Sequence, residues 1–267
     1  MGGGSESVDV DGQTIAFERR GQGPPLVLLH GAASDSRDWR RELDGLSDEF
    51  TVVAWDAPGC GHSFDPPGDY GLDGYADCLA TFIDMLGLER PHVLGLSFGT
   101  GVALELFRRH RGLPRSLVLT SAYAGWLGSL GHEVAEERRR WGLRAADQPR
   151  DEYVRELNKT LFASSVPAEI VQEMTEIAMD LHPAGLRAIA NAFADADLRG
   201  TLPDIDVPTL LVHGALDQRS PVSVGEDLHA RIPGSKFVVI PGVGHMVNLE
   251  APKRFHDEVR SFLRAAG

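Results

Sequence analysis

Short runs of apolar residues recur along the chain, each bounded by glycine, proline or polar turn residues, and segments of helical period separate several of them. That alternation predicts βαβ units around a mostly parallel sheet. The strand-like runs are Leu26-Val27-Leu28-Leu29, Val52-Val53-Ala54-Trp55, Val93-Leu94, Leu117-Val118-Leu119, Leu210-Leu211-Val212 and Phe237-Val238-Val239-Ile240. Their unbroken apolarity predicts strands covered on both faces. Ahead of them, Val8-Asp9-Val10 and Thr14-Ile15-Ala16-Phe17 flank Asp11-Gly12, a pair that favours the tight primed turn of a hairpin.

Helices are predicted between the strands. Tyr75, Leu79, Phe82, Ile83 and Leu86 share one helical face, as do Phe255, Val259, Phe262 and Leu263. Another helix is expected after Ser97, through Val102, Ala103, Leu106 and Phe107. It would close at Arg108-Arg109-His110-Arg111 before Gly112, because cations and glycine suit a helix C-terminus. Over 122–200 the alternation stops, and helical segments follow one another with no strand between them. Residues 1–121 and 201–267 are therefore expected to form two parts of one core, with 122–200 as a helical cap. Trp126, Trp141, Phe162, Met174, Met179 and Phe193 stand among many charges there, so the apolar side is expected to face the core.

A length of 267 residues suits one α/β unit with an insertion. With 42% hydrophobic and 24% charged residues, the composition is that of an ordinary globular protein, not of a disordered or fibrous one. A net charge of −13 disfavours nucleic acid and anionic membrane surfaces as partners. Only two cysteines occur, Cys60 and Cys78, and so sparse a count fits free thiols in a reducing compartment. No apolar run reaches the length of a membrane span, and Met1-Gly2-Gly3-Gly4-Ser5 lacks the charged and apolar regions of a secretion signal. The expected setting is cytoplasmic.

In open parallel sheets ligands bind beyond the carboxyl ends of the strands. His30-Gly31-Ala32-Ala33 follows the first buried run, and Asp56-Ala57-Pro58-Gly59-Cys60-Gly61-His62-Ser63 follows the second. Ser97 comes just after Val93-Leu94-Gly95-Leu96, His213-Gly214-Ala215-Leu216-Asp217 after the next-to-last run, and Pro241-Gly242-Val243-Gly244-His245 after the last. Gly95-Leu96-Ser97-Phe98-Gly99 is the sharpest signal, since a serine on a tight strand-to-helix turn is forced outward. A serine hydroxyl needs an adjacent base, itself oriented by a third group. His245 in its glycine-rich loop is the candidate base, and Asp217 is the candidate carboxylate that would fix its tautomer.

These motifs resemble the α/β-hydrolase family in order and spacing: the His30-Gly31 turn, the 56–63 loop, the Gly-x-Ser-x-Gly turn, the loop ending at Asp217, and Gly244-His245. The order Ser97, Asp217, His245 is that of the family's triad. Within it the chain is most similar to compact, cofactor-free members: enol-lactonases, perhydrolase-like esterases and meta-cleavage product hydrolases. The resemblance implies an α/β-hydrolase fold with a mostly parallel sheet flanked by helices. It also implies an oxyanion hole from the backbone amides of Phe98 and Ala32. Thr100 departs from the pattern, standing where a third glycine is common. Ser97 sets the chain apart from haloalkane dehalogenases and the usual epoxide hydrolases, which carry aspartate at that turn.

The expected reaction is cleavage of a carboxylic ester or lactone through an acyl-enzyme. The alternatives are C–C hydrolysis of a vinylogous diketone, or a triad-bearing receptor or cyclase with little turnover. A cap over the strand ends would give the pocket apolar walls, so an apolar small-molecule ester or lactone is the expected partner. Ala33, Trp39, Trp126, Trp141, Phe162 and Met246 are the candidate wall residues.

No cofactor or metal is expected, because no nucleotide-binding glycine pattern sits in the right place and no His-Glu-x-x-His spacing occurs. Asn158-Lys159-Thr160 matches a glycosylation sequon but reads as helix. Among the remaining histidines, His30 and His213 are expected to serve buried backbone groups. His92, His110, His229 and His256 are expected in water, and His62, His132 and His182 are candidates for the pocket rim.

Overall fold

Asp11 and Gly12 adopt φ of 53° and 82°, the left-handed pair that a two-residue primed turn requires, and so join β1 (Glu6–Val10) to β2 (Gln13–Arg20) as an antiparallel hairpin. The computed structural model describes residues 5–164 and 166–267; the Met1-Gly2-Gly3-Gly4 start lies outside them. Each apolar run predicted as a strand is one: β3 (Pro25–Leu29), β4 (Thr51–Trp55), β5 (His92–Leu96), β6 (Ser116–Thr120), β7 (Thr209–Gly214) and β8 (Lys236–Ile240). The sheet order is β1-β2-β4-β3-β5-β6-β7-β8, parallel from β4 onward, with β2 antiparallel to β4.

Successive strand residues point to opposite faces, so the continuous apolar runs feed two cores. Val27, Leu29, Val93, Leu117 and Leu119 pack with α2 (Leu72–Met85), α3 (Phe98–Arg109) and, further along the sheet, α9 (Val222–Arg231). Leu26, Leu28, Leu94, Val118 and Val212 pack on the other face with α1 (Arg40–Gly45), α10 (Val247–Glu250) and α11 (Pro252–Ala266). The expectation of two covered faces fails at β8. It is an edge strand in which only Ile240 is buried and Val239 is 38% exposed.

Between β6 and β7 run α4 (Trp126–Leu130), α5 (His132–Asp147), α6 (Arg150–Leu161), α7 (Ala168–Met179) and α8 (Pro183–Asp195), an uninterrupted helical insertion. Most of its large apolar residues face inward, Val134 at 37% and Met179 at 45% exposure being the exceptions. Phe193 of α8 anchors it. Its ring meets Phe98 at 5.4 Å, Trp126 at 5.3 Å and Tyr123 at 5.8 Å between centroids, and a Cβ at Gly101 would stand 2.4 Å from it. Edge-on contacts of this kind add to the area a ring buries. No described helix is long and apolar enough to cross a membrane.

Phe193→Ala would open a cavity at this junction and is expected to cost about 3–5 kcal/mol. Urea unfolding measures it; a loss below about 1 kcal/mol would mean that the insertion is held elsewhere.

Candidate active site

Ser97 is the single residue between β5 and α3, and its φ of 53° and ψ of −111° lie where side-chain-bearing residues rarely sit. Strain of this kind costs on the order of 1–3 kcal/mol and persists only where the surroundings over-determine it. They do so here. The Ser97 amide donates to Thr120 O at 3.0 Å, and the Thr100 amide and hydroxyl both donate to Ser97 O, at 3.0 and 2.5 Å. A Cβ on Gly99 would lie 2.2 Å from Leu29 O, so only glycine lets the turn close on β3. Thr100 is no disturbance to this start of the helix: it is fully buried, and its hydroxyl also accepts from the Tyr123 amide at 3.0 Å.

His245 is placed by contacts from α6, from the end of β6 and from α10. Its amide donates to Leu161 O at 2.9 Å, and its carbonyl accepts from the Ser121 hydroxyl at 2.8 Å. The Glu250 carboxylate accepts from the amides of Gly244 and Met246 on either side, at 3.0 and 3.3 Å, and from Ala163 at 2.9 Å. The ring is 2% exposed, and its Nδ1 sits 2.9 and 3.0 Å from the two oxygens of Asp217. Donation from Nδ1 leaves Nε2 as the acceptor. The amides of Arg219 and Ser220 donate to Asp217 Oδ1 at 2.8 and 2.9 Å. Burial works to raise the Asp217 carboxyl, but the adjoining imidazole and the two amides outweigh it and hold it below its ordinary value.

Ser97 and His245 line one narrow cavity of about 50 Å³. No hydrogen bond joins their side chains among the described residues. The backbone amides of Phe98 and Ala32 have no acceptor among those residues either, and Gly31 brings its turn against Ser97, where a Cβ would be 3.7 Å from the serine Cβ. Of the six expected wall residues, Ala33, Trp126, Trp141 and Met246 line the cavity. Trp39 does not: it is fully buried in the core beneath β3 and β4, because it ends the short turn Ser36–Trp39 facing the sheet. Phe162, 8% exposed, lines a separate outer groove beside α6 and α7.

Sequence reasoning missed two charged side chains in this wall, Asp38 and Arg219, along with the polar Ser34 and Tyr153. Asp38 carries no local signal, since it sits in a charged stretch before α1. Arg219 lies two residues past Asp217, and reading that strand-end loop further would have found it.

Asp38 is fully buried and neither carboxyl oxygen has a hydrogen-bond partner among the described residues. Burial, and then the neighbouring Glu42 charge, push its pKa up from 3.8 to about 8.

The histidines divide by environment. His30 holds Gly31 O at 2.7 Å with Nδ1 and accepts from the Ala57 amide at 3.0 Å, as expected of a structural imidazole. His213 accepts from the Ala122 amide at 3.2 Å. His92 is not in water: it lies in β5, 1% exposed, bonded to Ser116. His256 pairs with the buried Glu42 at 3.0 Å and His110 with Asp77 at 2.8 Å, whereas His229 is exposed. None of the three rim candidates reaches the cavity. His62 and His182 line another cleft, and His132 is exposed. Cys60 and Cys78 are free thiols, both buried. Among the described residues no group of three or more His, Cys, Asp or Glu side chains is placed to hold a metal.

A family description, the alpha/beta hydrolase fold, matches residues 24–252. The AB hydrolase superfamily protein YisY of Bacillus subtilis is 26% identical over 256 residues, 93% of this chain and 95% of that protein. A malate-bound thermophilic esterase from Thermogutta terrifontis superposes with a TM-score of 0.91 at 30% identity, covering 98% of this chain and 99% of its own. The enol-lactonase of Burkholderia xenovorans LB400 shares the fold, with a TM-score of 0.88 at 23% identity over 97% and 100% of the two chains.

The buried acid at Asp38 gives the stability a pH dependence. Its folded-state pKa of about 8 stands above the ordinary 3.8, so across that window the folded chain keeps a proton that the unfolded chain has lost. The stabilisation is complete below the lower value and disappears as pH rises through the upper one. Asp38→Asn mimics the protonated acid. Its unfolding free energy in urea is expected to gain on the wild type as pH rises from about 5 to about 8, by up to about 1.4 kcal/mol per pH unit. Parallel pH profiles for the two proteins would contradict this account of Asp38.

Proposed function

The chain belongs to the α/β-hydrolase family, and from that premise we propose a serine hydrolase that cleaves a carboxylic ester or lactone through an acyl-enzyme. The observation that carries this reading is the joint presence of a strained, outward Ser97 and the His245–Asp217 pair in one apolar cavity.

In the proposed reaction Ser97 Oγ attacks the substrate carbonyl carbon while His245 Nε2 takes the hydroxyl proton. The carbonyl π bond opens and its electron pair moves onto oxygen, where the amides of Phe98 and Ala32 receive it. His245 then passes the proton to the leaving alkoxide as the C–O bond breaks. Water repeats the sequence on the acyl-enzyme and releases the acid and the free serine. Asp217 holds the ring by Nδ1 and balances the imidazolium; its depressed pKa keeps it ionised into acid conditions. Acid loss of activity is therefore not assigned to Asp217.

We assign residues 122–200 as a cap that selects the substrate. Trp126, Trp141, Tyr153, Leu157, Met174 and Ile189, all from the insertion, supply much of the apolar lining, which favours an apolar body in the substrate. The similarity to an esterase from Thermogutta terrifontis supports ester chemistry.

Ser97→Ala is expected to lower kcat on p-nitrophenyl butyrate by about a thousandfold or more, and Asp217→Asn, which alters the tautomer, by a comparable factor. Stopped-flow and steady-state assays read both. Wild-type rates in Ser97→Ala would remove the nucleophile assignment.

A further inference from the structure

We propose that the guanidinium of Arg219 receives a free carboxylate on the substrate, so that the ester or lactone turned over here is anionic at the end remote from the scissile bond. This deepens the hydrolase reading and rests on it. Arg219 stands in the cavity wall among Trp141, Tyr153, Leu157 and Leu161. Its Nη1 donates to the Thr160 hydroxyl at 3.0 Å, and its Cζ lies 5.7 Å from the centroid of the Trp141 ring. Its Nε and Nη2 have no acceptor among the described residues.

An arginine in such a place ordinarily finds a carboxylate. Arg37, Arg41 and Arg260 each do so elsewhere in this chain. Among the described residues no carboxylate lies within ion-pair distance of Arg219. The nearest candidate in sequence, Asp217, is occupied by His245 and by the Arg219 and Ser220 amides.

A second cation sharpens the imbalance. Arg138 donates through Nη2 to Arg219 O at 2.7 Å and through Nη1 to Tyr123 Oη at 2.9 Å. Its Cζ lies 5.4 Å from the Tyr123 ring and 5.7 Å from Trp126. It too has no carboxylate at ion-pair distance among the described residues. Arg219 is thus the one guanidinium lining the cavity among the described residues, with Arg138 behind it on its backbone carbonyl, in a protein of net charge −13. Loss of hydration disfavours the Arg219 charge and lowers its pKa, and the Arg138 charge adds to that. A carboxylate bound at Arg219 would offset that loss, and the planar fork of arginine matches it in two parallel hydrogen bonds. The aromatic faces of Trp141 and Trp126 keep the cations in place without neutralising them.

The test compares p-nitrophenyl hydrogen glutarate, which carries a free carboxylate, with p-nitrophenyl valerate, its neutral counterpart of equal chain length. The wild type is expected to prefer the anionic ester in kcat/KM. Arg219→Met is expected to lower that preference by roughly 10- to 100-fold, mainly through KM, with Arg219→Lys retaining part of it. Calorimetry on Ser97→Ala supplies a readout without turnover: monomethyl glutarate is expected to bind more tightly than dimethyl glutarate, and the difference to vanish when Arg219→Met is added. An unchanged preference in Arg219→Met, or equal binding of the two glutarates, overturns the inference while leaving hydrolysis intact. If neither nitrophenyl ester is cleaved but monomethyl glutarate binds through Arg219, the carboxylate site stands and the hydrolytic reading falls.

Discussion

Between Leu96 and Phe98 the chain turns from strand to helix within one residue, and the bare Cα of Gly99 lets that turn press against the Leu29 carbonyl at the end of β3. The shape of the Ser97 turn depends on this contact. It holds Ser97 at positive φ and leaves the Phe98 amide without an acceptor among the described residues. It also sets the neighbouring His30-Gly31 turn beside the serine. The strain at Ser97 is tolerable because Thr120, Thr100 and Tyr123 hold the turn through backbone and hydroxyl bonds.

The same turn supports the insertion. The Phe98 side chain points away from the cavity chemistry into a run of aromatic rings, Tyr75 at 5.1 Å on one side and Phe193 of α8 at 5.4 Å on the other. Helices that wall the pocket are thereby packed on the residue whose amide is assigned to the oxyanion. From the far side, the end of α6 holds His245 through Leu161 O, and Glu250 ties Ala163 to the histidine loop. Ser97, His245 and the proposed cap are thus joined by direct packing and hydrogen bonds.

Much of this was legible in the chain. The six strands β3 to β8 stood out as apolar runs, β1 and β2 were marked by the Asp11-Gly12 turn between them, and Gly-x-Ser-x-Gly announced a turn that only glycine permits. His245 and Asp217 were found by looking at strand ends, and the structure brings them to 2.9 Å. What the sequence hid has physical causes. An apolar side chain reads the same whether it faces a core or a cavity, so Trp39 and Phe162 were misplaced where Trp126 and Trp141 were not. The edge position of β8 depends on strand order, which composition does not encode. Asp38 and Arg219 look like surface charges in sequence. Their burial depends on distant segments, α5 and α6 against Arg219 and α10 against Asp38.

The central claim is that Ser97 is the nucleophile and that the Phe98 and Ala32 amides hold the charge it generates. A crystal structure of the protein inactivated by a p-nitrophenyl alkylphosphonate tests it most directly. The account predicts phosphorus bonded to Ser97 Oγ, with the phosphonyl oxygen within hydrogen-bond distance of both amides and His245 Nε2 facing the Ser97 oxygen. Phosphorus on another residue, or a phosphonyl oxygen turned away from those amides, would contradict it.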